Sequence, residues 1–289
     1  MTSLRTRTIA SARLKLNIVE WGDPAAPPLI LQHGGRDHAR SWDVVAEAFA
    51  GDYHVIAPDL RGHGDSDWSG DGAYDLADFL QDFATMTRVL ELPPCAMIGH
   101  SLGGNIIARY AGLYPDQVTK LVNIEGLGFA PHLEAQRNQR DEIDLLRELI
   151  ERRAQQAYFT PRSFPNLAAL AARMLQADER LSPEFAEHLA RHAGQANADG
   201  SVTVKHDPAM RNGSPLDIMT DTKVRIWQAI TCPVLLCYGL QSWASNPAVD
   251  GRAQYFRNAR VELFDNAGHW PHHDRQPDFI AVTRDFLAG

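Results

Sequence analysis

The chain has 289 residues, 44% of them hydrophobic and 22% charged, and its 36 acidic and 28 basic side chains give a formal net charge of −8. This length suits one large domain with an insertion, and the acidic balance argues against nucleic acid and anionic membranes as partners. No apolar run is long enough for a signal-peptide core or a transmembrane helix. We therefore expect a cytoplasmic protein, whose oligomeric state the sequence does not indicate.

Short apolar runs separated by helical segments predict the strands of the fold. The first run, at residues 14–21, alternates between apolar and polar side chains and is typical of an early strand that can pair antiparallel. The other runs lie at residues 28–33, 54–58, 95–99, 118–125, 233–238 and 260–264. This pattern indicates an α/β protein with a largely parallel sheet covered on both faces by helices.

A long polar segment separates the runs at 118–125 and 233–238. Its apolar spacing predicts an amphipathic helix within residues 133–158 and further helices at 167–175 and 184–193. We therefore predict a helical insertion between two consecutive strands of the sheet. The resulting organisation is a core at residues 1–130, a helical cap at 131–225 and the rest of the core at 226–289.

The three cysteines, Cys95, Cys232 and Cys237, lie in or beside apolar strand-like runs. Their odd number and their spacing are not those of a disulfide framework or a zinc site. The sequence also contains no H-E-x-x-H metal motif. We expect buried reduced thiols, no metal site and no cofactor.

Residues 32–36 form a glycine turn at the end of the predicted strand 28–33. Backbone N–H groups of such a loop and of Leu102 can converge on a developing oxyanion, and the loss of one such donor typically raises a barrier by about 3 kcal/mol. Gly35 is the first choice for the donor in the loop. Taken alone, the turn is an ordinary strand-end loop, and only the motif at residues 99–103 favours the oxyanion interpretation. The next residue, Arg36, either binds a substrate carboxylate or forms a structural ion pair.

Residues 99–103 match the pattern G-x-S-x-G, with Ser101 at the centre. Such a string occurs by chance in about one chain of this length in ten. Its setting is more specific, because it follows the buried strand 96–98 and precedes a helix at 105–110, which is the context of a nucleophile elbow. Glycines flank the serine of an elbow because bulky side chains would collide with the neighbouring strand and helix. Ser101 is therefore the candidate nucleophile.

His269 lies on a loop directly after the last predicted strand. Histidine has an ordinary pKa of about 6.5, so a histidine at this edge of the sheet can take the proton of a serine around neutral pH. The chain holds 12 histidines, so the argument depends on position and not on residue type. We interpret His33, His63 and His100 as local hydrogen-bonding residues and His269 as the candidate base.

Four motifs follow one another along the chain: a His-Gly-Gly turn at 33–35, the run 58–66, the elbow at 99–104 and Gly268-His269. In this order they resemble the α/β-hydrolase superfamily over nearly the whole chain, and most of all its cap-bearing bacterial serine hydrolases, which are often described as esterases. The resemblance implies an eight-stranded, mostly parallel sheet flanked by helices, a helical cap after strand six, an oxyanion hole and a Ser-acid-His triad. Because Ser101 stands at the nucleophile position, the haloalkane dehalogenase and epoxide hydrolase branches, which attack through a carboxylate, are disfavoured.

The triad acid departs from the commonest pattern of these relatives. In many of them it follows the seventh strand in a pattern like G-x-x-D, whereas residues 239–242 end in Ser242 and the next carboxylate is Asp250. Other members place the acid after the sixth strand, where this chain has Glu125. Because neighbouring parallel strands lie about 4.8 Å apart, a glutamate there can orient His269. We favour Glu125 over Asp250; the alternative for Glu125 is a solvated carboxylate at the start of the cap.

The motifs and the resemblance imply hydrolysis of a small-molecule carboxylic ester through an acyl-enzyme. Arg36, Trp243 and Trp270 are the predicted substrate-binding residues, although packing between cap and core explains each tryptophan equally well. Two alternatives stay open. One is a carbon–carbon bond or lactone hydrolase with the same triad, and the other is a ligand-binding receptor without catalysis.

Overall fold

The computed structural model describes residues 4–212 and 220–289. Its strands are β1 (Arg5–Ser11), β2 (Leu14–Trp21), β3 (Pro28–Gln32), β4 (His54–Pro58), β5 (Cys95–His100), β6 (Val118–Ile124), β7 (Ser163–Phe164), β8 (Gly194–Ala196), β9 (Val202–Val204), β10 (Val234–Gly239) and β11 (Ala259–Phe264). Its α-helices are α1 (Asp43–Phe49), α2 (Leu76–Val89), α3 (Leu102–Leu113), α4 (Pro131–Asn138), α5 (Glu142–Ala154), α6 (Leu167–Ala177), α7 (Pro183–Ala193), α8 (Thr220–Ala229), α9 (Pro271–Asp274) and α10 (Gln276–Ala288).

Eight strands form one sheet in the order β1-β2-β4-β3-β5-β6-β10-β11. The β1–β2 and β2–β4 pairs are antiparallel, and every other neighbouring pair in this sheet is parallel. The prediction of an eight-stranded, mostly parallel sheet is confirmed, and each of the seven apolar runs is one of its strands. The sequence did not predict β1, because this edge strand exposes most of its side chains and therefore lacks an apolar run.

Helices cover both faces of this sheet. On one face, α2, α3 and α8 pack over a core that includes Ile30 and Trp227; on the other, α1 and α10 pack over a core that includes Leu29 and Leu31. Successive side chains of a strand point to opposite faces. Leu29, Ile30 and Leu31 of β3 are all fully buried, since both faces are covered, and this explains why a central strand such as β3 contains a continuous apolar run.

The segment between β6 and β10 is less uniform than the predicted run of helices. The single helix expected within 133–158 is two helices, α4 and α5, because the Asp141 side chain accepts the Ile143 N–H at 2.9 Å and begins a new helix. The strands β7, β9 and β8 form a small antiparallel sheet, which the sequence did not predict because two or three residues are too few to show alternation. The predicted boundary at residue 225 lies within α8, and residues 213–219 of the predicted cap lie outside the described residues.

Two expectations from composition concern the cysteines and membrane segments. All three cysteines are free and buried. Burial raises the pKa of Cys95 to about 12, which keeps its thiol protonated and unreactive. Over the described ranges, none of the helices combines the length and the apolar character that crossing a membrane requires.

The sheet brings the candidate site residues to one edge. Ser101 directly follows β5, Glu125 directly follows β6, and the loop with Gly35 follows β3. His269 lies on the loop after β11. Because parallel strands end at the same edge of a sheet, these four chain segments meet there, where open α/β sheets bind their ligands.

Candidate active site

Ser101 occupies a strained turn between β5 and α3. Its backbone angles are φ 51° and ψ −115°, a conformation that non-glycine residues rarely adopt. The Ser101 N–H donates to the Ile124 carbonyl at 2.8 Å, which ties the turn to the end of β6. Strain of this kind persists only where the surrounding structure holds it, and such sites are commonly functional. The local structure is that of a nucleophile elbow.

The glycines around the serine are required by close contacts. A Cβ atom at Gly103 would lie 2.3 Å from the Gln32 carbonyl oxygen, so no side chain fits between the elbow and the end of β3. A Cβ atom at Gly34 would lie 3.2 Å from the Ser101 Cβ and 2.8 Å from His100 Nδ1. The loop after β3 therefore lies directly against the serine, and the closest approach is at Gly34.

Two backbone groups near Ser101 are suited to binding an oxyanion. Leu102 is the first residue of the 12-residue helix α3, whose N-terminal N–H groups carry partial positive charge. Gly35 lines the same cavity as Ser101 and Leu102. The loop is held by His33, whose Nε2 accepts the Leu60 N–H at 3.0 Å, so that Nδ1 carries the hydrogen and donates to the Gly34 carbonyl at 2.7 Å.

Glu125 lies beside His269 at the carboxyl edge of the sheet. Its Oε2 atom is 2.5 Å from Nδ1 of His269 and accepts the Ser242 hydroxyl at 2.6 Å, while Oε1 accepts the Gly239 N–H at 2.8 Å. Only 4% of the residue is exposed, so the alternative of a solvated carboxylate is wrong. The φ of Glu125 is 49°, so Glu125, like Ser101, has a positive φ at this edge of the sheet. Three donors hold the carboxylate in an orientation that fixes the imidazole ring.

Ser242 has a part in this arrangement that the sequence analysis missed. It occupies the aspartate position of the G-x-x-D pattern, and its hydroxyl reaches Glu125 from there. The absence of an aspartate at residue 242 was the sequence signal that Ser242 could be a hydrogen-bond partner of an acid placed elsewhere. Asp250, the alternative acid, instead accepts hydrogen bonds from the Arg252 guanidinium at 3.0 Å and the Ser245 hydroxyl at 2.5 Å.

Aromatic rings and a backbone contact position His269. The Nε2–H of His100 donates to the His269 carbonyl at 2.8 Å, in line with the local hydrogen-bonding role that the sequence suggested. Burial and the neighbouring His269 keep the pKa of His100 well below its ordinary value, so this ring is neutral. The Trp243 ring lies 4.8 Å from the His269 ring, and the Trp270 ring lies edge-on at 5.2 Å.

A cavity of about 530 Å³ opens beside Ser101. Of the three predicted substrate-binding residues, Arg36 and Trp243 line it, while Trp270 packs against the rings of His269 and His100. Trp243 is 64% exposed, so it is not a packing residue between cap and core. The cavity lining consists of Gly35, Arg36, His63, Tyr74, Leu76, Phe79, Ser101, Leu102, Met210 and Trp243.

One group of possible metal ligands occurs within residues 4–212 and 220–289. Ligand atoms of Asp43 on α1 and of His188 and His192 on α7 lie within 4.8 Å of one another. The Asp43 carboxylate already forms an ion pair with Arg40, at 2.6 Å, and His188 Nε2 donates to the Arg40 carbonyl at 2.9 Å. The group therefore joins α7 to the core and offers no open set of ligands.

A pair of carboxyl groups supports the loop that carries His269. Asp274 Oδ2 accepts the Gly268 N–H at 2.7 Å, and Asp178, which follows α6, is close enough for its charge to act on Asp274. Burial, reinforced by the charge of Asp178, raises the pKa of Asp274 to about 7. No sequence motif signals this pair, because its members are far apart in the chain.

The Asp274→Asn substitution tests this pair through the pH dependence of stability. The folded-state pKa of about 7 exceeds the ordinary value of 3.8, so the folded protein holds a proton that the unfolded chain releases. The stabilisation is complete below about pH 4 and is lost as the pH rises through 7. An asparagine mimics the protonated acid at every pH and can still accept the Gly268 N–H. The Tm of the variant minus the Tm of the parent should therefore become more positive as the pH rises from 5 to 8.

Thermal unfolding at several pH values measures this difference, and Asp278→Asn on α10 is the control for the loss of one exposed carboxylate. A Tm difference between Asp274→Asn and the parent that stays constant from pH 5 to pH 8 would show that folding does not raise the pKa of Asp274.

Comparison with known proteins agrees with this structure. A family model described as the alpha/beta hydrolase fold matches residues 27–276. The chain is 39% identical over 115 residues to the 3-hydroxybutyrate-oligomer hydrolase of Cupriavidus necator, an alignment that spans only 39% of each protein. It is 26% identical to the esterase Rv0045c of Mycobacterium tuberculosis over 94% of this chain and 86% of that one.

Among solved structures, the thioesterase domain from the curacin biosynthetic pathway superposes with a TM-score of 0.84 at 24% identity, covering 97% of this chain and 98% of that domain. This likeness concerns the fold. The family model, in contrast, matches most of the sequence, including β3, the elbow and His269. The protein therefore belongs to the α/β-hydrolase family, as its ordered motifs implied.

Proposed function

We propose that this protein is a serine hydrolase that cleaves carboxylic esters, with Ser101 as nucleophile, His269 as base and Glu125 as the triad acid. The observation that carries the proposal is the 2.5 Å contact between Glu125 Oε2 and His269 Nδ1. A hydrogen on Nδ1 directed at the carboxylate leaves the lone pair on Nε2, which is the nitrogen that a general base uses in such a triad.

In the first half of the reaction, His269 Nε2 removes the hydroxyl proton while Ser101 Oγ forms a bond to the ester carbonyl carbon. The carbonyl oxygen becomes an oxyanion, which the N–H groups of Gly35 and Leu102 stabilise. When this intermediate collapses, the bond to the alcohol oxygen breaks and the imidazolium gives its proton to the leaving alcohol. The product of this half is an ester between the acyl group and Ser101.

In the second half, a water molecule attacks the carbonyl carbon of the acyl-enzyme. His269 takes a proton from this water, the same N–H groups stabilise the second oxyanion, and collapse returns the proton to Ser101 Oγ. The carboxylic acid is released. Glu125 remains ionised throughout and stabilises the imidazolium that forms in each half.

The named relatives support ester bonds as the target. One is described as an esterase and another as a hydrolase of 3-hydroxybutyrate oligomers, in which esters link the units. We further propose that the described part of residues 131–225 forms the cap over the site. His38 Nε2 donates to the Leu189 carbonyl at 3.1 Å, and Met210 lines the cavity, so this segment contacts both the core and the site.

A substrate panel tests the proposed function. Open-chain esters graded by acyl length, cyclic lactones and vinylogous diketones are compared by kcat/KM under one set of conditions. We expect the highest kcat/KM for an open-chain ester. Higher values for the lactones or for the diketones would favour a lactonase or a carbon–carbon bond hydrolase, since the same triad performs all three reactions. No turnover of any compound, together with no labelling by a fluorophosphonate, would favour the receptor.

A further inference from the structure

Arg36 stands in the cavity beside the nucleophile. It directly follows Gly35, is exposed, and lines the cavity together with Ser101 and Leu102. Its φ is 63°, in the left-handed region that an arginine rarely adopts. The following residue, Asp37, accepts the Ser41 hydroxyl at 3.0 Å and the His38 N–H at 2.8 Å, which fixes the loop in this conformation.

The guanidinium of Arg36 forms no ion pair or hydrogen bond with any described residue. Nearby arginines differ: Arg40 is paired with Asp43, and Arg61 is paired with Asp82 at 2.6 Å. The sequence left open whether Arg36 is part of a structural ion pair, and within the described chain it is not. No described residue occupies its five N–H donors, which suit an anionic ligand.

Among the lining residues that the structure describes, no carboxylate balances this cation. Burial together with His33 keeps the pKa of His63 well below its ordinary value, so that ring is neutral. In a chain with a net charge of −8, Arg36 is therefore the charged group in the described lining of the cavity beside Ser101, and its charge is positive. A single uncompensated charge in a concave site attracts ligands of opposite sign.

The remaining lining groups indicate which anion fits. The Tyr74 hydroxyl already donates to Asp207 at 2.5 Å, and the Nδ1–H of His63 donates to the Arg61 carbonyl at 2.8 Å, which leaves a bare acceptor at Nε2. A tetrahedral phosphate would find few donors besides Arg36. A planar carboxylate needs only the two parallel N–H groups of one guanidinium.

We propose that Arg36 binds a carboxylate of the substrate, so that the preferred substrates are esters that also carry a carboxylate group. The apolar part of the lining, Leu76, Phe79, Leu102, Met210 and Trp243, would enclose the carbon chain between the ester and the carboxylate. The proposal rests on the proposed ester hydrolysis. It adds the chemical class of the substrate and the residue that selects it.

The test compares esters that differ only in charge. Monoethyl esters of succinic, glutaric and adipic acid carry the carboxylate on the acyl side, and each is matched with the uncharged amide of the same shape. In a second arm, 3-acetoxybutyrate carries the carboxylate on the alcohol side and 3-acetoxybutyramide is its partner. Released ethanol or acetate gives kcat/KM, and the two arms show on which side of the ester the carboxylate binds.

We expect kcat/KM of the parent to favour the carboxylate over the amide in at least one arm. The Arg36→Gln substitution should lower this ratio about 10–100-fold, the range expected for a hydrogen-bonded charge. Arg36→Lys should keep part of the preference because it keeps the charge. Arg173→Gln on α6, which removes an exposed cation elsewhere, is the control for net charge.

Binding to the Ser101→Ala protein, measured by calorimetry, separates this proposal from the proposed function. Carboxylate esters that bind more weakly after Arg36→Gln, without turnover by the parent, would support the carboxylate site and contradict ester hydrolysis. Equal kcat/KM for carboxylate and amide in both arms, or an equal loss for both in Arg36→Gln, would overturn the role of Arg36 while leaving ester hydrolysis intact. If neither binding nor turnover depends on Arg36, the role of Arg36 is also overturned.

Discussion

The Glu125→Gln variant is expected to hydrolyse esters about 10⁴-fold more slowly than the parent, by the effect that amide replacement of a triad carboxylate has in serine hydrolases. A glutamine keeps an acceptor for the Gly239 N–H, so the loop geometry should persist. Its amide group, however, can donate to His269 Nδ1 and thereby place the imidazole hydrogen on the wrong nitrogen. The loss should therefore appear in kcat, with the Tm close to that of the parent.

Asp250→Asn is the matched control, because Asp250 is the other carboxylate that the sequence offered as triad acid. It is paired with Arg252, which is only 3% exposed, so neutralising it should lower the Tm. At a temperature where both variants are folded, its kcat should stay within a few-fold of the parent. A collapse of kcat in Asp250→Asn and not in Glu125→Gln would contradict our assignment of the acid.

The Ser101→Ala variant should lose about 10⁶-fold in kcat, the effect of removing the nucleophile from a serine hydrolase. The substitution deletes only the hydroxyl oxygen. The hydrogen bond from the backbone N–H of residue 101 to the Ile124 carbonyl remains, so the fold should be retained. The parent should also react covalently with a fluorophosphonate probe, and Ser101→Ala should not, because the adduct forms on the activated hydroxyl.

Ser242→Ala is the control for this labelling, since Ser242 also lies near His269 but its hydroxyl donates to Glu125. This variant should still be labelled by the probe. Labelling should be slower than in the parent, because Glu125 loses the hydrogen bond from the Ser242 hydroxyl that helps to hold it beside His269. Labelling and hydrolysis that persist in Ser101→Ala would show that another residue is the nucleophile. A parent that is never labelled would indicate that the serine is not activated and would favour a ligand-binding function.

Much of the core was predictable because its signals are local. A buried parallel strand has apolar side chains on both faces, so β3, β4, β5 and β10 each contain a continuous apolar run, and β6 is apolar at Leu121 and Val122 after the exposed Thr119. The elbow needs glycines within two residues of Ser101, and this requirement is visible as a short string. Glu125 was also predictable, because its position is that of the residue at the end of a strand next to β5.

The segment between β6 and β10 was predicted less well, for a reason of length. Its helices show periodic apolar spacing over several turns, whereas β7, β8 and β9 have two or three residues each. Such strands are stabilised by their pairing with one another and by a small cluster of buried side chains, and not by a pattern within any one of them. Pairing between distant segments is not visible in a local window of sequence.

By itself, the sequence determined the family, the sheet and the positions of Ser101, His269 and Glu125 along the chain, because local patterns and strand ends specify these. Only the tertiary structure decided the contacts among them. The bond of Ser242 to Glu125 joins residues 117 positions apart, and the proximity of Asp178 to Asp274 likewise exists only after folding. The same holds for Arg36, since whether an arginine is paired depends on which carboxylates the fold brings within about 4 Å of it.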